Sequence, residues 1–270
     1  MQLVSLEKHV TASADEGASI VFAREPFDSD LFGLEIGRIH SAQASDASKY
    51  HLLFDSLLSR ARTAGYDQVL RRTALENLAE IWGLQASGFE LMDVVVTFAR
   101  PIAPGVHSPQ WADLRIEPAT DDTVMAIVRD MVDDPWNSRY ESDPAYTPSA
   151  IRALRRKWLL NSYRGRAAAF FVGTIDGRPV GYVTCVIHRP SGEGEIELVG
   201  TIPAFRGRRV ASRIIEHALC WFSERCSVIT VRTQATNYAA AGVYERAGFT
   251  LRGAEATFRA NVKSQRTAQA

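Results

Sequence analysis

The sequence has little cysteine and no excess of charge of either sign. Its 270 residues contain three cysteines, Cys185, Cys220 and Cys226, which form no pairwise framework and no CxxC motif. Neither a disulfide scaffold nor a zinc site is therefore indicated. A reducing compartment fits this cysteine usage, so we expect a cytoplasmic protein that binds no metal.

Long apolar runs and a net basic charge are also absent. Lysine plus arginine and aspartate plus glutamate number 31 each, which leaves no overall positive field for sequence-independent binding of nucleic acid. No stretch approaches the roughly 20 apolar residues of a membrane span, and the N-terminal segment lacks the apolar core of a signal peptide. We expect a globular protein without a nucleic-acid or membrane partner.

Proline and glycine concentrate in residues 100–116, "RPIAPGVHSPQWADLRI". Both residue types interrupt helices and strands, so this segment indicates a linker. It predicts a smaller N-terminal domain over residues 1–105 and a larger domain over residues 106–262. The last eight residues, 263–270, contain too few apolar side chains to fold and are expected to form a disordered tail.

An internal repeat connects the two predicted domains. Residues 71–98 align without a gap with residues 231–258, at an offset of 160 positions. The identical pairs include Arg72 with Arg232, Thr73 with Thr233, Asn77 with Asn237, and Gly88-Phe89 with Gly248-Phe249. Asparagine caps helices and glycine accepts the left-handed conformation that follows them. Each copy is therefore predicted to form a strand, a short helix that begins near the asparagine, and a second strand.

The second copy is preceded by further predicted strands. "IDGRP", at residues 175–179, is a turn signal between two runs rich in β-branched and aromatic residues. "EIELVGT", at residues 195–201, predicts one more strand, and an amphipathic helix follows it. This order of elements predicts an α+β fold with a mixed, mainly antiparallel sheet that is flanked by helices.

The segment "TIPAFRGRRVASRII", at residues 201–215, carries four arginines: Arg206, Arg208, Arg209 and Arg213. A strand that leads through this loop into a helix presents free backbone N–H groups and the positive end of the helix at one point. Such a point binds anions, and the arginines make a diphosphate the expected guest. The alternative is a solvated turn whose arginines pair with carboxylates.

This loop, followed by "TNYAAAGVYERAGF", resembles the signature of the GCN5-related N-acetyltransferase (GNAT) superfamily, [R/Q]-x-x-G-x-[G/A]. Arg206 and Ala211 match its ends, whereas Arg209 stands where the family usually has glycine. We expect ordinary backbone dihedral angles at Arg209, which would preserve the donation of its N–H group. The resemblance implies a GNAT fold preceded by a degenerate, GNAT-like half that lacks the basic loop.

The resemblance also implies acetyl-CoA as the acyl donor. It predicts that the strand backbone binds the pantetheine arm, that the loop binds the diphosphate, and that the residue at the start of the next helix lies nearby. These cofactor-binding residues are Val199, Gly200 and Thr201 in the strand, Arg206, Gly207, Arg208, Arg209, Val210 and Ala211 in the loop, and Asn237.

Two residues are candidates for the chemistry. Tyr244 lies two helical turns after Asn237, where the family places the general acid that protonates the departing thiolate. Its counterpart in the first copy is Leu84, and the alternative role for Tyr244 is a core aromatic. Glu195 is the candidate general base; the alternatives are a structural carboxylate and a base that acts through ordered water.

Two further segments, residues 27–39 and 137–162, resemble the dTDP-fucosamine (dTDP-4-amino-4,6-dideoxy-D-galactose) acetyltransferases. This resemblance implies a nucleotide-linked amino-deoxy sugar as the acceptor. The polar and aromatic side chains of Arg139, Tyr140, Asp143 and Tyr146, in a turn-rich loop, are the candidates to bind it, and ordinary loop capping is the alternative role of each. A homodimer is one expected assembly. The alternatives are another small amine, a protein N-terminus, or a non-catalytic module that binds acyl-CoA.

Overall fold

A computed structural model of the chain describes residues 9–12, 17–107, 109–136 and 138–262. The predicted disordered tail at residues 263–270 lies outside this range. In the described part of the chain, no helix is both long enough and apolar enough to cross a membrane.

Eleven strands and eight α-helices make up the described chain. The strands are β1 (His9–Ala12), β2 (Ser19–Arg24), β3 (Ile36–Gln43), β4 (Gln68–Ala74), β5 (Glu90–Pro101), β6 (Arg115–Pro118), β7 (Ala169–Ile175), β8 (Arg178–Ile187), β9 (Gly194–Thr201), β10 (Val228–Gln234) and β11 (Thr250–Asn261). The helices are α1 (Pro26–Phe32), α2 (Ala47–Thr63), α3 (Leu78–Ala86), α4 (Asp121–Met131), α5 (Arg139–Ser142), α6 (Pro148–Asn161), α7 (Val210–Ser223) and α8 (Tyr238–Arg246).

The repeat predicted from the sequence is confirmed by these bounds. Strand β4, helix α3 and strand β5 recur as β10, α8 and β11, with every first and last residue displaced by 160 positions. Asn77 caps α3 by accepting a hydrogen bond from the backbone N–H three residues later, and Asn237 caps α8 in the same way. Gly88 and Gly248 follow the helices with φ angles of 78° and 82°, as a left-handed end requires.

Two compact units form within the described residues. The first comprises residues up to 95 together with those from 254 onward, and the second comprises residues 96–253. The divisions fall inside β5 and β11, because β4 has β11 as its neighbour and β10 has β5. Each unit thus contains part of the closing strand of the other repeat. The domain boundary near residue 105 stays a prediction.

In the first unit, the strand order is β1-β2-β3-β4-β11. Strands β3 and β4 are parallel, and the other neighbouring pairs are antiparallel. Helices α2 and α3 cover this sheet, and Phe54 and Leu84 are fully buried in the core between them. This core gives the first unit its own hydrophobic stabilisation.

In the second unit, the strand order is β5-β10-β9-β8-β7-β6. Strands β9 and β10 are parallel, whereas the β8–β9, β7–β8 and β6–β7 pairs are antiparallel. The predicted turn between β7 and β8 is confirmed: Asp176 and Gly177 connect them with φ angles of 48° and 73°, as in a type I′ hairpin. The mixed, mainly antiparallel sheet expected from the sequence is therefore present.

Two apolar clusters cover opposite sides of this second sheet. One joins Ile196 and Val231 to residues of α7 and α8, including Ile215 and Tyr244. The other joins Leu198 and Tyr182 to residues of α4 and to Leu159 of α6. Strand β9 contributes to both clusters, so residues of this strand can reach either side of the sheet.

Candidate active site

A cavity opens in the second unit where two parallel strands separate. The pairing of β9 with β10 ends at Ile196 and Val231, although β9 continues to Thr201 and β10 to Gln234. The cavity between and around the separated ends encloses about 1240 Å³. This volume exceeds the few hundred to about 1000 Å³ that is common for a single small ligand, so two substrates can share it.

Ten of the predicted site residues line this cavity. They are Val199, Gly200, Thr201, Arg206, Gly207, Arg209, Val210, Ala211, Asn237 and Tyr244. The strand, the basic loop and helix α8 therefore meet at one place, as the resemblance implied. The predicted residues that do not line it are Glu195, Arg208, Arg139, Tyr140, Asp143 and Tyr146.

The basic loop ends in two residues with positive φ. Gly207 has φ 78°, and Arg209 has φ 59° and ψ 21° as the N-cap of α7. The expectation of ordinary dihedral angles at Arg209 is wrong: the chain adopts the left-handed conformation that glycine supplies in the family signature. Among the described residues, no side chain caps α7, so the first N–H groups of this helix remain available to an anion.

The four arginines of the loop have different partners. Arg206 forms a short ion pair with Asp134, and Arg213 binds Asp113 through N–O distances of 2.7 and 2.9 Å. The guanidinium of Arg208 lies 5.3 Å from the ring centre of Phe205.

Within the described residues, Arg209 makes no ion pair. The paired turn that was the alternative interpretation therefore describes Arg206 and Arg213, whereas Arg209 is a cation of the cavity wall without an ion pair among the described residues.

The end of β9 combines a close packing contact with an unsatisfied polar atom. At Gly200, an added Cβ would lie 2.6 Å from the ring of Tyr182, so the position has no room for a side chain. The neighbouring Thr201 Oγ1 is buried and has no hydrogen-bond partner among the described residues. A buried hydroxyl without a partner is costly, and a polar ligand in the cavity would satisfy it.

Tyr244 reaches the cavity from α8. Its ring packs against Phe98 and Phe249, at centroid distances of 5.9 and 6.2 Å, and only 4% of the residue is exposed. Burial raises the pKa of Tyr244 to about 12, which keeps the phenol protonated at neutral pH. In the described part of the chain, no group hydrogen-bonds to its hydroxyl, so this donor is available to a ligand.

In the first unit, the equivalent space is filled by an ion pair. Glu80, which is fully buried, stands where the second repeat has Ala240, and Arg71 stands where it has Val231. Arg71 Nε donates to Glu80 Oε1 at 2.5 Å, and Arg71 Nη1 donates to the carbonyl of His40 at 2.9 Å. This pair closes the gap beyond the last β3–β4 pairing, whereas Val231 and Ala240 line the open cavity of the second unit.

Glu195, the predicted base, is held in a buried ion-pair cluster. One carboxylate oxygen lies 2.5 Å from His188 Nε2, and the other accepts from Arg232 Nε at 3.0 Å and Nη2 at 2.9 Å. The side chain is 7% exposed. Both oxygens are therefore occupied, and the carboxylate does not reach the cavity. Its role as a base stays a prediction that this geometry disfavours.

Glu197 is the carboxylate of β9 that does reach the cavity. Thr184 pairs with Leu198 and the next residue, Cys185, pairs with Ile196, so Glu197 is the extra residue of a β-bulge. Ser162 Oγ donates to its carboxylate at 3.0 Å, and Arg166 forms a short ion pair with it. Sequence reasoning missed this residue because a bulge changes which side chains of a strand share a face.

The predicted acceptor residues form a packed cluster behind the cavity. Arg139, Tyr140, Asp143 and Tyr146 are each less than 10% exposed. The Arg139 guanidinium lies 4.2 Å from the centre of the Tyr140 ring and donates to the hydroxyl of this tyrosine. Asp143 accepts a hydrogen bond from the backbone N–H two residues later, which is a turn motif. Their roles in substrate binding stay predictions.

Two tryptophans from the same segments line the cavity instead. Trp136 and Trp158 stack with a centroid distance of 5.8 Å and an interplanar angle of 25°. The Nε1 atom of Trp136 is buried without a hydrogen-bond partner among the described residues. Trp158 lies inside the segment 137–162 that carries the resemblance, and Trp136 directly precedes this segment.

A second, open depression of about 820 Å³ lies along residues 109–117. His217 contributes to it, and burial lowers the pKa of this histidine. None of the predicted site residues lines this depression. Within the described ranges, no group of three or more histidine, cysteine, aspartate or glutamate side chains is arranged to hold a metal ion.

Comparison with known proteins agrees with the geometry of the second unit. Residues 128–249 match the Acetyltransferase (GNAT) family. The chain is 28% identical over 135 residues to the spore coat polysaccharide biosynthesis protein SpsD of Bacillus subtilis, which covers 50% of this chain and 45% of SpsD. It is 30% identical over 82 residues to the N-alpha-acetyltransferase MAK3 of Arabidopsis thaliana, which covers 29% of this chain and 43% of MAK3.

The chain therefore spans less than half the length of these curated relatives. A solved GCN5-related N-acetyltransferase from Sphaerobacter thermophilus superposes on 94% of this chain and 83% of its own, with a TM-score of 0.63 and 13% identity. At this identity, the likeness shows a common fold. It extends over both units, in agreement with the GNAT-like character predicted for the first half.

Proposed function

We propose that the chain is an acetyl-CoA-dependent N-acetyltransferase, because residues 128–249 match the Acetyltransferase (GNAT) family. We propose the amine of a nucleotide-linked amino-deoxy sugar, of the dTDP-4-amino-4,6-dideoxyhexose type, as the acceptor. The observation that carries the proposal is a cavity whose wall combines several functional groups. Gly207, Arg209 and the uncapped start of α7 form an anion cradle after the end of β9. The other groups on the wall are the phenol of Tyr244, the carboxylate of Glu197 and the indoles of Trp136 and Trp158.

Acetyl-CoA fits the residues that are present. The uncapped start of α7, Gly207 and the charge of Arg209 would hold the diphosphate. The exposed backbone edge of β9 and the unsatisfied hydroxyl of Thr201 would hold the pantetheine arm. Asn237 has a more indirect role, because its side chain is occupied by capping α8 and by donating to Thr233.

In the proposed reaction, the acceptor nitrogen attacks the thioester carbonyl carbon. The C–N bond forms, the C–S bond breaks, and the neutral amine nitrogen loses one proton while the sulfur gains one. Tyr244 is placed to donate its phenolic proton or hydrogen bond to the departing sulfur. Its counterpart in the first unit, Leu84, has no hydroxyl and is fully buried, which agrees with an inactive first half.

Glu197 is the group that we assign to the proton of the acceptor amine. It lines the same cavity as Tyr244 but lies on the side of α6, where Ser162 and Arg166 fix its carboxylate. A carboxylate in this position can accept the proton directly or through one water molecule. Glu195 is the less suitable base because it does not line the cavity, whereas Glu197 does.

Trp136 and Trp158 are the surface that we assign to the ring of the acceptor. Flat apolar faces of sugars and nucleobases pack on aromatic side chains, and the indole N–H supplies a donor. The relative SpsD is named for polysaccharide biosynthesis, which supports a sugar acceptor for this chain. The cytoplasmic location and the homodimer stay predictions.

A protein N-terminus is the second candidate acceptor, because the relative MAK3 is named as an N-alpha-acetyltransferase. The two candidates differ in chemistry: a nucleotide sugar carries a diphosphate, whereas an N-terminal peptide carries a flexible backbone.

The test measures the acetylated product by mass spectrometry, with acetyl-CoA and either dTDP-4-amino-4,6-dideoxy-D-galactose, the free amino sugar, or short peptides. The proposal predicts the highest kcat/KM for the nucleotide sugar. A higher kcat/KM for any peptide would contradict it.

A further inference from the structure

Arg232 is a cation of the cavity wall that the proposed chemistry does not use. It lies on β10, one residue beyond the last pair between β9 and β10, and it lines the cavity. Its side chain is 46% exposed. Its counterpart in the first unit, Arg72, instead donates to the hydroxyl of Thr257 across the β4–β11 pair.

A buried carboxylate fixes the orientation of this arginine. Nε and Nη2 of Arg232 both donate to the same oxygen of Glu195, and His188 contacts the other oxygen. The guanidinium has five N–H donors, so the outer edge, formed by Nη1 and the second hydrogen of Nη2, has no protein acceptor within the described residues. A guanidinium held in this way presents two parallel donors, which is the arrangement that binds phosphate.

The position of Arg232 separates it from the diphosphate cradle. Val231 pairs with Ile196, so Arg232 lies at the level of Glu197, and four more residues of β9 lead to Thr201 before the basic loop begins. At about 3.3 Å per residue, this part of the strand spans roughly 13 Å. A diphosphate in the cradle is therefore out of reach of Arg232, and the cationic position at Arg232 is distinct from the one at the cradle.

We propose that Arg232 is a second anion site, which binds the phosphate groups of the acceptor, and that Glu195 is the residue that positions it. This inference rests on the proposed function, because it assigns the acceptor class to a phosphate-bearing molecule. It also gives the buried Glu195 a role that its two occupied oxygens permit: the carboxylate holds the arginine and leaves proton transfer to Glu197.

The experiment is a calorimetric titration of thymidine 5′-diphosphate into protein saturated with CoA, so that the cradle is already filled. The wild type binds the diphosphate. Arg232→Gln weakens this binding at least tenfold, because a charge-assisted hydrogen bond is lost, and leaves the affinity for CoA unchanged. The glutamine retains an amide donor for Glu195, so the buried carboxylate keeps a partner.

Arg252→Gln is the matched control. Arg252, on β11, forms an ion pair of 3.0 Å with Glu193, which lies in the turn between β8 and β9. Arg252 is exposed and does not line the cavity. This variant should bind thymidine 5′-diphosphate as the wild type does. Glu195→Gln should weaken the binding of thymidine 5′-diphosphate by three- to tenfold. Arg232→Lys should restore part of the affinity that Arg232→Gln loses. In the acetylation reaction, Arg232→Gln should raise the KM of the acceptor and leave kcat unchanged.

Three results would overturn the inference. They are no binding of thymidine 5′-diphosphate to the CoA-saturated wild type, equal binding by wild type and Arg232→Gln, or a loss of CoA affinity in Arg232→Gln, which would assign the anion to CoA itself. Failure of the proposed function is a separate result. If the diphosphate binds through Arg232 but no nucleotide sugar is acetylated, the anion site stands and the assigned acceptor is wrong.

Discussion

Two glutamates on β9, two positions apart, have different surroundings because a bulge separates them. Glu197 lines the cavity, whereas Glu195 is buried against His188 and Arg232. We predict that Glu197→Gln lowers kcat by about 100-fold or more, as the loss of a general base does. Glu195→Gln should change kcat less than threefold. Steady-state kinetics at saturating acetyl-CoA compares them, and a larger loss of kcat in Glu195→Gln would restore the original assignment.

Arg209 occupies a left-handed conformation that a side chain disfavours. Two variants remove the same charge but differ in this strain: Arg209→Gly relieves it and Arg209→Ala retains it. We predict that the glycine variant is more stable than the alanine variant by about 1 kcal/mol, measured as the free energy of unfolding in urea, and that it binds acetyl-CoA at least as tightly as the alanine variant does. Equal stability of the two variants would show that the backbone at this position is not strained.

The ion pair between Arg71 and Glu80, which is replaced by Val231 and Ala240 in the second repeat, gives a prediction about the end of the β3–β4 strand pair. Arg71 and Glu80 fill the end of the β3–β4 pair, and Glu80 also accepts hydrogen bonds from Thr73 and Asn77. Glu80→Ala leaves a buried arginine without its partner and should cost about 3 kcal/mol. The double variant Arg71→Val with Glu80→Ala installs the residues of the second repeat and should be more stable than Glu80→Ala alone.

Urea unfolding of the two single variants and the double variant measures this coupling as a double-mutant cycle. If the effects of the two substitutions on the free energy of unfolding were additive, the ion pair would not be the interaction that closes the gap at the end of the β3–β4 pair.

Local signals in the sequence predicted the elements well. Asn77 and Asn237 predicted helix starts, and Gly88 and Gly248 predicted helix ends, because capping and positive φ depend on neighbouring residues. Strand neighbours were harder to predict. That β4 pairs with β11, although β5 follows it in the same repeat, depends on contacts between distant residues, which a local pattern does not encode.

At the scale of the whole molecule, the proposed cofactor site lies in the second unit. The basic loop has no counterpart in the first repeat, and Arg71 with Glu80 occupies the space that the second unit leaves open. We therefore predict that one acetyl-CoA binds per chain. Isothermal titration calorimetry measures this stoichiometry, and a value near two would contradict the assignment of the first unit as a degenerate copy.

The candidate site as a whole was partly predictable from the sequence. The motif located the cradle and Tyr244 because these residues follow one another along a short segment. The motif could not reveal that Glu195 is occupied by His188 and Arg232, or that Trp136 and Trp158 stack. These facts depend on which side chains meet after folding and on a bulge that no residue pattern indicated.

The most direct test of the central claim measures the release of free thiol from acetyl-CoA in the presence of dTDP-4-amino-4,6-dideoxy-D-galactose, for the wild type and Tyr244→Phe. Phenylalanine retains the packing against Phe98 and Phe249 but removes the donor. We predict acceptor-dependent release that falls by about 100-fold or more in the variant, with unchanged binding of acetyl-CoA. Equal rates in the two proteins would contradict the catalytic role of Tyr244, and no acceptor-dependent release by the wild type would contradict the proposed acceptor.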